Sequence, residues 1–211
     1  MSVDFHFVEC TNDQCRLRFP LDLSAFEGKY CPRCGGLLRV TASIVPAIIS
    51  DTSTISARTP LLGLLDNIRS SHNVGSIFRS ADGVGFSHLY LCGITPTPAQ
   101  NPEITKTALG AEQVLAWSYQ SNALDLVKQL KSEGLALIAL ERTPQSVSIQ
   151  DFHPNTEQAC VLIVGNEPAG VDPELLEMAD QVISLPMLGT KESLNAAISF
   201  SIAAYWLRLT K

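Results

Sequence analysis

Between Leu61 and Leu209 the sequence alternates two periodicities. Five apolar runs of strand length, LLGLLDNI, HLYLCG, LALIALE, ACVLIVG and QVISLPM, are separated by segments with apolar residues at helical spacing. These segments are 73 to 84, a stretch around ITKTALGA, 122 to 133, 172 to 180 and 193 to 209. Strand alternating with helix restricts the chain to an α/β fold with a mostly parallel sheet and helices on both faces. Sheets of this kind bind ligands beyond the carboxyl ends of their strands.

The first forty residues follow a different rule. Four of the six cysteines fall there, Cys10 and Cys15 in CTNDQC and Cys31 and Cys34 in CPRCGG. This spacing brings four thiolates to one tetrahedral point and matches a structural zinc ribbon, with Gly35 and Gly36 easing the turn under the second knuckle. Two disulfides or free buried thiols are the alternatives, and disulfides are disfavoured in a reducing compartment. Four thiolate ligands leave no open coordination position, so the zinc would be structural. It would supply folding energy to a module too small to bury much apolar surface. Arg16, Arg18, Lys29, Arg33 and Arg39 give the ribbon positive charge that five acids cancel; contact with nucleic acid and a merely solvated face both fit that balance. Cys92 and Cys160 stand beside apolar runs and read as core thiols.

The Ser-, Thr- and Pro-rich stretch from 41 to 60 reads as a linker, which divides the chain into a module at 1–40 and a larger domain at 61–211. No run of about 18 apolar residues is present, and the N-terminus lacks the basic-then-apolar pattern of a signal peptide. The expectation is a cytoplasmic protein with no membrane partner. A net charge of -6 argues against broad electrostatic capture of a polyanion. The charge is uneven, with eight Lys/Arg against seven Asp/Glu in residues 1–80 and seven against fourteen in 81–211. Any basic face therefore belongs to the first part of the chain.

Three segments at strand ends concentrate polar residues. In SSHNVGSIFRSADGVGF, Val74, Ile77, Phe78 and Ala81 form a buried stripe, and Arg79 faces away from it. On spacing alone, Asn73 reads as the cap of that helix and Arg79 as solvated. In VLIVGNEPAG, Gly165 and Gly170 would let backbone approach a ligand, and Glu167 sits where an acid accepts hydrogen bonds from a bound group; alone, the segment is a glycine-flanked turn. In ISLPMLGTKESLN, Pro186 and Gly189 force a compact loop, and Leu185, Met187 and Leu188 are candidates to wall a flat aromatic ligand. Ser193 reads as the cap of the last helix, which leaves Lys191, Glu192 and Asn195 without a structural task. Neither a dinucleotide-binding nor a P-loop glycine pattern occurs, which disfavours a plain nucleotide-binding domain.

Taken together and in order, HNVGSIFRSADGVGF, LIVGNEPAGV and ISLPMLGTKESLNAAIS resemble the three motifs of the SpoU/TrmH-type RNA ribose 2′-O-methyltransferases of the SPOUT superfamily. ITKTALGAEQVLAWSY resembles the segment between the first two. The resemblance covers about residues 61 to 209 and leaves the cysteine module outside it. It implies an α/β fold closed by a C-terminal trefoil knot, S-adenosylmethionine held in the knot loops, a tRNA or rRNA substrate, and a homodimer whose interface completes the site. By position, it assigns Gly165, Leu185 and Leu194 to cofactor contacts, with Met187 as a neighbour. It assigns Asn73, Arg79, Glu167, Ser193 and Asn195 to the catalytic and supporting polar set. The start of the last helix would then face the active site, while Ala197, Ile198, Ile202 and Tyr205 pack that helix down.

The implied reaction is in-line attack of a ribose 2′-hydroxyl on a sulfonium methyl. A guanidinium does not give up its proton in proteins, so Arg79 is expected to stabilise developing negative charge or clamp a phosphate, not to act as the base. Glu167 and Asn195 would orient Arg79, and Asn73 would position the hydroxyl. A SPOUT enzyme acting on a base and a catalytically idle RNA-binding homologue are the competing readings.

Overall fold

The computed structural model describes residues 4–43 and 59–210. The chain divides into two compact units, Met1–Ser53 and Thr54–Lys211, and each is described by itself.

The first unit is an antiparallel sheet of β1 (Phe5–Cys10), β2 (Arg18–Asp22) and β3 (Leu38–Ser43), in the order β2-β1-β3. Two tight turns carry the cysteines. Cys15 N–H donates to Asn12 carbonyl oxygen at 2.9 Å, and Gly35 N–H to Cys31 carbonyl oxygen at 2.9 Å. Gly35 holds φ of +73°, a left-handed conformation open to glycine without steric cost. Of the expected linker, 44–58 lie outside the described residues, and Thr41 to Ser43 complete β3.

In the second unit the order is β4 (Leu61–Asp66), α1 (Ser71–Val84), β5 (His88–Cys92), α2 (Glu103–Ala108), α3 (Ala111–Val114), β6 (Trp117–Gln120), α4 (Ala123–Ser132), β7 (Ala136–Leu140), β8 (Val147–Ser148), β9 (Cys160–Val164), α5 (Pro173–Met178), β10 (Gln181–Ser184) and α6 (Ala196–Leu209). The sheet order is β6-β5-β4-β9-β7-β10-β8, and each neighbouring pair is parallel. β6 and β8 were not legible as apolar runs, because WSYQ is half polar and VS is two residues long.

The central strand explains the apolar run that encodes it. Leu162 and Val164 join the core made with α1 and α6, whereas Val161 and Ile163 join the core made with α4 and α5. A strand covered on both faces must be apolar at successive positions. The late strand β9 inserts between β4 and β7, so the turns following β4 and β9 emerge side by side. α1 leaves one of them over the first face and α5 leaves the other over the second, which opens a crevice at the strand ends.

Two helix starts differ from the spacing-based expectation. The cap of α1 is Ser70, whose Oγ accepts from Asn73 N–H at 3.3 Å, which frees the Asn73 side chain. The cap of α6 is Asn195, whose Oδ1 accepts from Ala197 N–H at 2.9 Å and Ile198 N–H at 3.2 Å; Ser193 lies in the preceding loop. The packed stripe of α6 also differs. Ala197, Phe200, Ala203, Ala204 and Leu207 are buried, while Ile198, Ile202 and Tyr205 are 53%, 44% and 46% exposed. This helix is apolar around most of its circumference, so periodicity alone admits two stripes. The small residues Ala203 and Ala204 mark the closely packed one.

Candidate active site at the strand ends

Three connections converge on one cleft of about 710 Å³. They are the turn after β7 (Leu140, Glu141, Arg142), the turn after β9 (Val164 to Gly170) and the loop from β10 into α6. A volume of this size suits a small organic ligand. All four expected cofactor residues, Gly165, Leu185, Met187 and Leu194, line it, together with Glu167, Ser193 and Asn195. Leu188 does not contribute: it is 95% exposed at the tip of the loop.

Gly165 and Gly170 both line the cleft, and each also has a packing reason to lack a side chain. A Cβ on Gly165 would fall onto the backbone of Gly170 and Val171, and a Cβ on Gly170 onto the Glu141 carboxylate. Gly165 therefore lets one end of the loop approach the other, Gly170 makes room for the Glu141 carboxylate, and a bridge between Asn166 and Gly170 closes the NEPA turn. This rigid turn projects Glu167.

Glu167 is the hub of a polar chain joining all three motifs. One carboxylate oxygen accepts from Arg69 N–H at 2.9 Å, and the other accepts from Ser70 N–H at 3.1 Å and Asn73 Nδ2 at 2.8 Å. Asn73 Oδ1 in turn accepts from Asn195 Nδ2 at 2.9 Å. Partial burial pushes the Glu167 carboxyl upward, but the donors from Arg69, Asn73 and Ser70 outweigh it and hold the group below the usual carboxylate range. The loop before α1, the loop after β9 and the start of α6 are thus tied through one ionised carboxylate.

Ser193 lies exposed on the cleft wall. Arg79 is not brought to the cleft. It lies six residues beyond Asn73 on α1, about 9 Å along the axis and roughly 120° around it. Its side chain is exposed and forms no ion pair among the described residues. The expected orientation of Arg79 by Glu167 and Asn195 therefore does not occur within one chain: both are engaged with Asn73.

Two supporting acids were missed. Asp66, 2% exposed at the end of β4, accepts from Asp172 N–H at 3.2 Å and Asn67 Nδ2 at 2.7 Å, and burial raises its carboxyl from the ordinary value. Glu141, beyond the end of β7, accepts from Val171 N–H at 3.0 Å and lines the cleft. Both acids close apolar runs in the sequence, a signal that marks a strand's carboxyl end.

In the first unit the sulfurs of Cys10, Cys15, Cys31 and Cys34 all lie within 4.8 Å of one another, with Cys10–Cys34 at 3.4 Å and Cys15–Cys31 at 3.8 Å. They are thiols, not disulfides. Cys92 and Cys160 are buried in the second unit, and burial pushes their thiols up to about 12 and about 11.

A parallel α/β domain whose central strand ends open a loop-walled cleft, edged by a hydrogen-bonded carboxylate, defines a small-molecule-binding domain of the kind found in group-transfer enzymes. Residues 60–205 match the SpoU rRNA Methylase family, and the chain belongs to that family. Among curated relatives, it is 30% identical over 140 residues to the 23S rRNA (guanosine-2′-O-)-methyltransferase RlmB of Neisseria meningitidis, a match covering 66% of this chain and 54% of the relative. It is 31% identical over 146 residues to the tRNA (guanosine(18)-2′-O)-methyltransferase of Aquifex aeolicus, covering 69% and 67%. Of solved structures, the AdoMet-bound rRNA methyltransferase from Sinorhizobium meliloti superposes with a TM-score of 0.67 at 28% identity, covering 72% of this chain and 57% of that one. The chain thus spans about half to two thirds of the length of these relatives. Among the described residues, no helix is long and apolar enough to cross a membrane.

Proposed function

We propose that this protein transfers a methyl group from S-adenosylmethionine to a ribose 2′-hydroxyl of tRNA or rRNA. The observation that carries this reading is the polar chain Glu167–Asn73–Asn195 at the rim of a cleft lined by Gly165, Leu185, Met187 and Leu194. Family membership supports it, as do relatives named as 2′-O-methyltransferases and a similar solved structure that is AdoMet-bound. The cleft fits the cofactor: Leu185, Met187 and Leu194 offer apolar walls for an adenosyl group, and Ser193, Asn195 and the turn after β9 offer polar groups. When bound there, the cofactor supplies an electrophilic methyl group.

The residues of the chain prepare the acceptor. Glu167 fixes the Asn73 amide, Asn195 fixes its other end, and Asn73 thereby presents a rigid polar group to the hydroxyl. The Arg79 guanidinium stabilises negative charge on the attacking oxygen or an adjacent phosphate. It acts from a homodimer interface. Ile198, Ile202, Tyr205 and Leu209 form an exposed apolar stripe on α6, and α6 packs beside α1, with Ser201 Oγ donating to Ser80 Oγ at 2.7 Å. A second copy covering that stripe would bring a partner site within reach of Arg79. The family resemblance adds a trefoil knot in the loops around the cleft, and the same reading places the protein in the cytoplasm.

The four cysteines hold a structural zinc ion. Zn–S bonds of about 2.3 Å set the sulfurs of a regular tetrahedron about 3.8 Å apart, and the sulfur separations of 3.4 Å and 3.8 Å, with all four within 4.8 Å, support this reading. The module at 1–40 is then a zinc ribbon, joined by 41–60 to a methyltransferase domain at 61–211.

The decisive assay supplies labelled S-adenosylmethionine and total RNA from cells lacking this protein. Incorporation that resists alkaline cleavage at the methylated position and disappears in Arg79→Ala is the expected result. Methyl groups on bases, or cofactor binding without transfer to any RNA, would overturn the reading. The dimer predicts a second outcome: Ile202→Asp gives a monomer by light scattering, keeps its circular dichroism spectrum, and loses transfer along with Arg79's access to the site.

A further inference from the structure

We propose that one face of the N-terminal sheet is a docking surface for single-stranded RNA; the proposal rests on the methyltransferase reading for the class of ligand. Along β1 the side chains alternate. Val8 and Cys10 are buried on the side of the cysteine cluster, and Phe5, Phe7 and Glu9 point to the opposite face. Strand register lays Arg18 of β2 and Arg39 of β3 on either side of Glu9, in one row across all three strands. Pro20 and Ala42 flank Phe7 in the next row.

The side chains use this placement. The Arg18 guanidinium lies over the Phe7 ring, 5.7 Å from its centroid. Arg16 and Arg39 both reach one Glu9 oxygen, at 3.7 and 3.6 Å. Arg16 does so from φ of +47°, a backbone conformation uncommon for a non-glycine residue. Two guanidiniums therefore share a single carboxylate, and Arg18, beside Glu9 in register, adds a third positive charge to the row. The face is cationic within a chain of net charge -6.

Apolar burial does not explain this arrangement. The Arg16 and Arg39 side chains remain 72% and 63% exposed, so their ion pairs are solvated contacts worth about 1 kcal/mol or less and are easily exchanged for a phosphate. Cations arrayed beside aromatic rings match the chemistry of an unpaired nucleic-acid strand, whose phosphates pair with guanidiniums while its bases stack on ring and guanidinium planes. Phe5, 44% exposed and on the same face, extends the stacking surface. A duplex buries its bases and would leave those rings unused.

The test uses the full chain and a fluorescein-labelled single-stranded RNA of about a dozen nucleotides of mixed sequence. Binding is followed by anisotropy across a salt series. Arg18→Ala combined with Arg39→Ala is expected to weaken binding at least about tenfold and to lower the slope of log K against log salt by about 1.4, as for two lost phosphate contacts. Unchanged zinc content shows that the ribbon is intact. Arg18→Lys with Arg39→Lys keeps the slope, because the charges remain. Unchanged affinity and slope in the alanine pair, or a wild-type protein that does not bind the oligonucleotide, would overturn the proposal. Methyl transfer to total RNA is measured on the same preparations. A wild type that transfers methyl groups beside an alanine pair that binds normally removes this surface and leaves the enzyme reading standing. Binding lost in the pair, with no transfer by either protein, retains the surface and removes the enzyme.

Discussion

Glu167→Ala is expected to lower kcat/KM for methyl transfer by about a hundredfold, the scale of losing one preorganised polar element of an active site. The substitution leaves Arg69 N–H, Ser70 N–H and Asn73 Nδ2 without their acceptor and frees the Asn73 amide to rotate. Glu167→Gln keeps the shape but offers one carbonyl oxygen and no charge, so it should fall between wild type and alanine. The loss should appear in kcat, with cofactor affinity changed by less than threefold in a calorimetric titration, because the apolar cleft wall is untouched. The same group sets a pH dependence. Its folded-state pKa is depressed, so its contribution to stability is fully present above the ordinary carboxylate value near about 4.3 and is lost as pH falls through the lower folded value. Acid unfolding of Glu167→Gln should lack that component. Equal acid midpoints in the two proteins would show that the carboxylate has no net stabilising role.

Cys31→Ser, or a chelator strong enough to strip zinc, is expected to unfold the first unit outright. Among its described residues only Val8, Cys10 and Cys31 are buried. A buried valine side chain stabilises by about 1.5 kcal/mol, whereas each ordered residue costs about that much in conformational entropy. Hydrogen bonding within three short strands does not close such a gap, and the proposed zinc, bound by four thiolates, would supply the difference. Metal analysis should give one zinc per wild-type chain and none in the variant. Hydrogen exchange should show protection lost across 4–43 and retained across 59–210, because the second unit has two apolar cores of its own. Protection of β1 to β3 that survives zinc removal would sink the structural-zinc assignment.

If both results hold, the division of labour is plain. The second unit would carry the chemistry, and the first would depend on a metal to present Arg16, Arg18 and Arg39 on one face.

How much of this was legible beforehand depends on whether a property is local. The alternation of apolar runs with helical stripes determined the α/β class, since a strand such as β9, covered on both faces, has to be apolar at successive positions. The spacing of Cys10, Cys15, Cys31 and Cys34 determined that the four thiols cluster, because two short turns leave the sulfurs few other arrangements. Only the tertiary structure decided which polar residues meet. Asn73 and Asn195 both have the chemistry of a helix cap, yet one was displaced from that task by Ser70 and the other took it over from Ser193. Inserting β9 beside β4 then brought Glu167 to Asn73, 94 residues away in sequence. Likewise α6 carries two apolar stripes, and its packing against α1 chose between them. Caps, stripes and strand order all depend on partners distant in the chain, and such partners leave no periodic trace in the segment that receives them.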